Sequence, residues 1–306
     1  MSDNPEVLII GAGPAGLTAA TYLARFHRRV LVADGGEPRA CWIPVSHNMP
    51  GFPKGITGEA ILTRMREQAE EYGAAIESGE VTVLRRLGDH DFEAELNGRT
   101  LRIPAVLLAT GVVDHHPDLP GVERGIARGL IRICPICDAF EATDQAIAVI
   151  GEDDKGVREA AFLRSYSDRV TLIHVAEPEA LSAADRAELV RLGVALVETS
   201  IDDVTIENDR VTALGWGGQA TPFDTVYSAL GTHPLAELAH GVGAECGEDG
   251  RLEVGLRQTT SVPGLYAAGD VVRGLNQIAV ATAEAAVAAT AIHNCLRERE
   301  GLTAKV

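Results

Sequence analysis

Aromatic residues make up only 4% of the 306-residue chain, so Leu, Val, Ile and Ala must fill its core. Lysine occurs only at positions 54, 155 and 305, and arginine carries the rest of the basic charge. Positive charge as a whole is outnumbered: 27 Lys and Arg face 44 Asp and Glu, for a formal net charge of −17. A polyanion does not seek phosphate backbones or anionic lipid, so nucleic acid and membrane surfaces are not expected partners. Residues 1–6 lack the basic stretch that opens a secretory signal. The most apolar late stretch, Ile278 to Ile292, carries Glu284 and falls short of the roughly 20 apolar residues that span a bilayer. A cytoplasmic location is expected. Cysteines stand at 41, 134, 137, 246 and 295, too sparse and odd a set for a disulfide framework. Only Cys134 and Cys137 are close enough to form a local pair.

What is present fits a soluble globular chain: 46% hydrophobic and 23% charged residues. At roughly 100–200 residues per domain, this length predicts two domains. Glu6 to Ile10 is a short apolar run that predicts a buried parallel strand. A helix is expected over Pro14 to Phe26 and a second strand over Val30 to Asp34, completing a βαβ unit. The pattern returns 140 residues later, with strand Ala146 to Ile150, a helix around Arg158 to Tyr166, and strand Val170 to His174. Such spacing means two nucleotide-binding-type folds, not a short solenoid repeat. Between them, Val81 to Leu101 alternates strand-like runs with turn residues and predicts an inserted meander. Asp114 to Arg132 has the Pro and Gly content of a linker leading into the second domain.

Gly11-Ala12-Gly13-Pro14-Ala15-Gly16 is a G-x-G-x-x-G loop between strand and helix. The first Gly makes the turn, the second lets the backbone approach a pyrophosphate, and the third lets helix pack on strand. The helix N-terminus behind it offers free N–H donors to an anion. Asp34, 18 residues after Gly16, can hold ribose hydroxyls. This loop alone does not choose between FAD and NAD.

Cys134-Pro135-Ile136-Cys137-Asp138 is a C-x-x-C followed by an acid. Two intervening residues let the sulfurs close a small ring. The reactive form is the thiolate, so the pair needs a proton partner, and Asp138 is the neighbouring acid/base. The alternatives are half of a zinc site, which needs a second pair of ligands, and plain core cysteines.

Further along lie Ala109-Thr110-Gly111 after an apolar strand, Gly264-Leu265-Tyr266-Ala267-Ala268-Gly269-Asp270, and Asn276-Gln277-Ile278 opening a small-residue helix. With these motifs the chain resembles the low-molecular-weight thioredoxin reductase family over nearly its whole length. The resemblance implies an α/β fold of two Rossmann-like three-layer domains. The FAD domain would comprise residues 1–114 and 233–306, and residues 115–232 would form the inserted pyridine-nucleotide-type domain carrying the C-x-x-C. It implies FAD contacts at Gly11, Gly13, Pro14, Ala15, Gly16, Asp34 and Gly35, and at Val81, Ala109, Thr110 and Gly111. Gly269 and Asp270, together with Gln277 and Ile278, complete that set. Asn48, in Ser46-His47-Asn48-Met49-Pro50-Gly51-Phe52-Pro53, matches the family's Asn before P-G-F-P. Asn276 stands where an Arg is usual. By the same resemblance Cys137 faces the flavin, Cys134 is the exchange thiol, and the protein is a homodimer.

The family pattern fails at the second loop, Gly151-Glu152-Asp153-Asp154-Lys155-Gly156. Asp153 replaces the Gly that should meet a pyrophosphate, and three acids crowd the helix start. His174-Val175-Ala176-Glu177 offers no Arg pair for a 2′-phosphate. NADPH is therefore not expected as a direct donor. An enzyme passing electrons between FAD, the Cys134–Cys137 pair and a thioredoxin-like or small-molecule disulfide is expected. Ferredoxin is a conceivable donor, and Arg124, Arg128 and Arg132 would form a basic face for it if helical. Reversed flow would make the chain a dithiol oxidase using oxygen. A thioredoxin reductase that accepts NADPH through a divergent loop and a non-enzymatic flavin sensor are the remaining alternatives.

Overall fold

The computed structural model describes residues 4–36, 38–117, 122–201, 203–207 and 210–303. Two five-stranded parallel sheets organise the chain. The first runs in the order Leu265–Ala267, Ala105–Leu108, Val7–Ile10, Val30–Asp34, Ala75–Ser78. Its central strand is apolar at every position because both faces are covered. Alternate residues point to opposite faces. Val7 and Ile9 pack with the helices Pro14–Arg25 and Ile278–Arg299. Leu8 and Ile10 pack with Phe92, Leu96 and Ile103 of an antiparallel meander, Val81–Gly88, Asp91–Leu96 and Arg99–Ile103. Helices, sheet and meander thus make three layers.

The second sheet repeats this plan in the order Ala195–Glu198, Val170–His174, Ile147–Gly151, Thr225–Ala229, Ile131–Arg132. Ile147 and Val149 meet Val157, Ala160 and Leu163 of the helix Asp154–Leu163. Ala148 and Ile150 meet Val211 and Leu214 of a second antiparallel meander. The predicted α/β class with two Rossmann-like units is therefore observed. Where the chain passes between the sheets, Val112–Asp114 pairs antiparallel with Thr232–Pro234. His115 N–H to Gly231 O at 2.9 Å and Leu235 N–H to Gly111 O at 3.0 Å extend this two-stranded ribbon at both ends.

Three expectations are corrected. The helix placed around Arg158 to Tyr166 begins at Asp154, because Asp153 caps it, and ends at Leu163. The apolar stretch ending at Ile292 continues as one helix to Arg299, 22 residues, long and apolar enough by composition to cross a membrane. Its Ala281, Ala285, Ala288, Ile292 and Leu296 are buried against the first sheet's helical layer, and Glu284 accepts the Gly269 N–H at 2.8 Å. Finally, the arginine stripe is not helical. The helix Val122–Ala127 stops short of Arg128, and Arg132 lies in a strand. The Arg124 side chain lies outside the described residues.

Candidate active site

The C-terminal ends of the first sheet's strands open on a cavity of ≈ 700 Å³. Loops leaving parallel strands converge there, which is where open α/β sheets bind ligands. Gly11, Gly13, Pro14 and Ala15 line it, with Asp34 and Gly35 from the second strand's end. Asn48, Val81, Ala109, Thr110 and Gly111 line it as well, and so do Gly269, Asp270, Gln277 and Ile278. Cys134, Cys137 and Asp138 close it from the other side. Of the expected contact residues only Gly16 is absent from the wall. Gly16 is packed behind the loop, where a Cβ would sit 1.9 Å from Gly11 O.

This cradle suits a dinucleotide. At Gly11, φ is +110° and a Cβ would lie 2.3 Å from Ala109 O, so only glycine fits. Gly13 precedes the helix Pro14–Arg25, whose first turn has no side-chain cap and no acid. Its leading N–H groups are therefore available to an anion. A Cβ on Gly13 would meet nothing nearer than Pro38 Cβ at 3.7 Å, and Gly13 lines the cavity. Gly35, Gly36 and Gly111 also face open space. The residues thus fit FAD in the pyrophosphate-on-helix mode.

Two arginines here went unnoticed in the sequence. Arg39 holds Asp114 through two hydrogen bonds at 2.6 and 2.7 Å and reaches Asp270 at 3.1 Å. It therefore ties the ribbon between the sheets to the expected flavin acid. Burial pushes Asp270 above the ordinary carboxylate range, and Arg39 opposes that. Arg66 pairs with Asp34. Neither arginine belongs to a motif or a periodic pattern, so no local signal marked them.

Cys134 and Cys137 form a disulfide, with Cα atoms 5.3 Å apart. Cys134 precedes the single turn Pro135–Asp138, and Pro135 at its first position has no N–H to lose. An amide chain lining the cavity reaches the sulfurs. Ser46 Oγ donates to Asn48 Oδ1 at 3.0 Å, and Asn48 Nδ2 donates to Gln277 Oε1 at 2.9 Å. Gln277 Nε2 lies 3.5 Å from both Sγ atoms. Asn48 and Gln277, expected as flavin contacts, are thus also joined to the redox pair. Gln277 is the N-cap of the helix Ile278–Arg299, whose first turn carries no acid.

Asp138 accepts the Tyr227 hydroxyl at 2.8 Å on Oδ1. Arg132 Nη1 donates to the Asp138 carbonyl at 2.7 Å and stands 3.6 Å from Oδ2. Burial raises the Asp138 pKa above its ordinary value, while Arg132 and the Tyr227 hydroxyl pull it back.

At the second loop, Gly151 and Gly156 pack Cα against Cα as the fold requires. The Asp153 side chain caps the helix Asp154–Leu163 by accepting the Lys155 N–H at 2.8 Å. A carboxylate thus occupies the position where the first loop leaves its N–H groups free. His174 is buried, with Nε2 3.0 Å from Glu177 O.

Fold and site define a flavin-dependent disulfide oxidoreductase. The model for the pyridine nucleotide-disulphide oxidoreductase family matches residues 5–285, and the chain belongs to that family. Thioredoxin reductase of Mycolicibacterium smegmatis is 33% identical over 296 residues, covering 93% of this chain and 94% of that protein. Among solved structures, HlmI superposes with a TM-score of 0.90 at 31% identity, covering 98% of this chain and 95% of the other. Thioredoxin reductase from Streptococcus pyogenes superposes with 0.89 at 26% identity, covering 96% and 98%.

Proposed function

We propose that this protein transfers two electrons between bound FAD, the Cys134–Cys137 pair and an external dithiol or disulfide, without NADPH entering at the second loop. The observation that carries the NADPH part is the Asp153 cap. Its carboxylate accepts from the first turn of the helix Asp154–Leu163 at 2.8 Å, where a pyrophosphate would have to bind. A pyrophosphate there would have to displace that carboxylate and withstand the charges of Glu152 and Asp154. The second strand's end offers only His174, whose Nε2 meets Glu177 O.

FAD, when bound, supplies a two-electron donor and acceptor; Gly11, Gly13 and Ala15 would hold its pyrophosphate, and Asp34 a ribose. Pro14, Gly35, Asn48, Val81 and the 109–111 turn would line its length, with Gly269, Asp270, Gln277 and Ile278 at its inner portion. The exchange itself belongs to the chain. A thiolate of the external dithiol attacks one sulfur of the Cys134–Cys137 bond and expels the other as a thiolate. Asp138 gives that thiolate a proton. The second substrate thiol then resolves the mixed disulfide. In sum the substrate loses two electrons and two protons to become a disulfide, and the pair gains both as two thiols. Run backwards, the same steps reduce a thioredoxin-like or small-molecule disulfide. By family resemblance, Cys134 meets the substrate and Cys137 the flavin.

We further propose that residues 115–232 turn about the Val112–Asp114 and Thr232–Pro234 ribbon, and that the enzyme is a cytoplasmic homodimer. The test is anaerobic mixing of the oxidised flavoprotein with NADPH, NADH, dithiothreitol and reduced ferredoxin, following the visible flavin band. Bleaching by dithiothreitol with none by NADPH is expected. Fast bleaching by NADPH would refute the role given to Asp153. Rapid recovery in oxygen after dithiol reduction would favour the oxidase direction, and bleaching by ferredoxin the reductase direction.

A further inference from the structure

Tyr227 belongs to the strand Thr225–Ala229, all five residues of which are buried, and is itself fully buried. A buried phenol must place its hydroxyl on a partner, and a backbone carbonyl would suffice. Here the partner is the carboxylate of Asp138, 89 residues away in sequence, at 2.8 Å. Arg132 lies over the same ring, with its guanidinium carbon 5.9 Å from the centroid. It comes from the neighbouring strand Ile131–Arg132, where Arg132 pairs in register with Tyr227. Its Nη1 fixes the Asp138 carbonyl at 2.7 Å and stays 3.6 Å from Oδ2, beyond hydrogen-bond length.

We propose that Tyr227 and Arg132 are positioning residues for Asp138. The phenol anchors Oδ1, the arginine anchors the backbone, and Oδ2 is left to exchange protons with the cysteine pair. The inference rests on Asp138 being the proton-transfer group of the proposed function. Burial and the adjacent carboxylate keep the Tyr227 phenol above its ordinary pKa, so it remains a donor. A donor to the ionised carboxylate favours that form, and so does a nearby cation. Either loss must therefore move the Asp138 titration to higher pH. A single charged hydrogen bond is worth about one pH unit, or roughly tenfold in the acid constant.

The test measures how fast dithiothreitol reduces the Cys134–Cys137 bond across pH. Reactions are quenched by alkylation and read by mass, so the flavin is not the reporter. Variant-to-wild-type ratios cancel the reagent's own ionisation. Asp138→Asn should abolish one limb of the profile. Tyr227→Phe should move that limb up by about one pH unit, and Arg132→Gln should move it in the same direction. Arg132→Gln also serves if Tyr227→Phe proves unstable in a thermal melt. A folded Tyr227→Phe protein whose limb coincides with wild type would overturn the inference while leaving the role of Asp138 intact. An Asp138→Asn protein that keeps the limb would overturn both.

Discussion

Gly13→Ala separates cofactor binding from folding. At Gly13 the backbone is extended, with φ −77° and ψ −174°, which alanine adopts without strain. The added methyl would have Pro38 Cβ at 3.7 Å as its nearest neighbour, an ordinary contact. Restricting the unfolded chain gains about 0.4–1 kcal/mol, and the poorer helix cap costs a few tenths or more. The fold should therefore keep its stability to within about 1 kcal/mol. The methyl nevertheless stands where the pyrophosphate must approach the first helical turn. Losing one or two charged hydrogen bonds there costs about 2–4 kcal/mol, which weakens FAD binding roughly 30- to 1,000-fold. Gly16→Ala should do the reverse. Its methyl would fall 1.9 Å from Gly11 O, so the backbone must move, at about 1–3 kcal/mol or more. The assay pairs thermal melts of flavin-stripped protein with titration of FAD by fluorescence quenching. A Gly13→Ala protein that binds FAD as wild type does would refute the cradle. So would one whose flavin-free melt falls as far as that of Gly16→Ala.

Replacing either Cys134 or Cys137 by Ser removes the exchangeable bond. Dithiothreitol-dependent flavin reduction should then fall at least about 100-fold in a stopped-flow trace, since no disulfide remains to attack. Arg39→Leu leaves Asp114 and Asp270 facing one another without their shared cation. A loss of about 2–4 kcal/mol is expected from the urea midpoint, because both carboxylates are largely shielded from solvent. Glu159 is held in the helix behind the second loop, and burial pushes its pKa up to about 7, with Asp114 and Asp153 adding to the rise. A carboxyl raised on folding binds its proton more tightly in the native state. Stability from this group is thus fully present below about pH 4.5 and is lost as pH rises to about 7. Glu159→Gln should shrink the difference in melting temperature between pH 5 and pH 8 by the equivalent of about 1–3 kcal/mol, read by calorimetry.

The strand, Gly-rich loop and helix at residues 6–26 were legible because their chemistry is local. Gly16 is demanded by its contact with Gly11 O five residues back, and an all-apolar strand can only be buried on both faces. The Cys134–Cys137 pair was legible for the same reason, its spacing being that of one turn. Local sequence also marked the second loop's departure from the first, since Asp153 stands where the first loop has Gly13 and caps its own helix two residues on. Boundaries were less legible. Nothing before Arg299 stops the helix that begins at Ile278, so its apolar half was read as the whole.

What sequence could not supply are partnerships made across the fold. Arg39 meets Asp270 across 231 residues, and Gln277 meets Cys137 across 140. Tyr227 reads as one more core residue until the sheet register sets it beside Arg132 and beneath Asp138. The sequence by itself determined the two nucleotide-type units, the Gly-rich loop of the first and the Cys134–Cys137 pair, because each shows in residues that are neighbours along the chain. Tertiary structure alone placed Tyr227 and Arg132 against Asp138, and Arg39 between Asp114 and Asp270. Hydrogen bonds and ion pairs depend on ångström distances, and only the packed sheets bring distant residues within them.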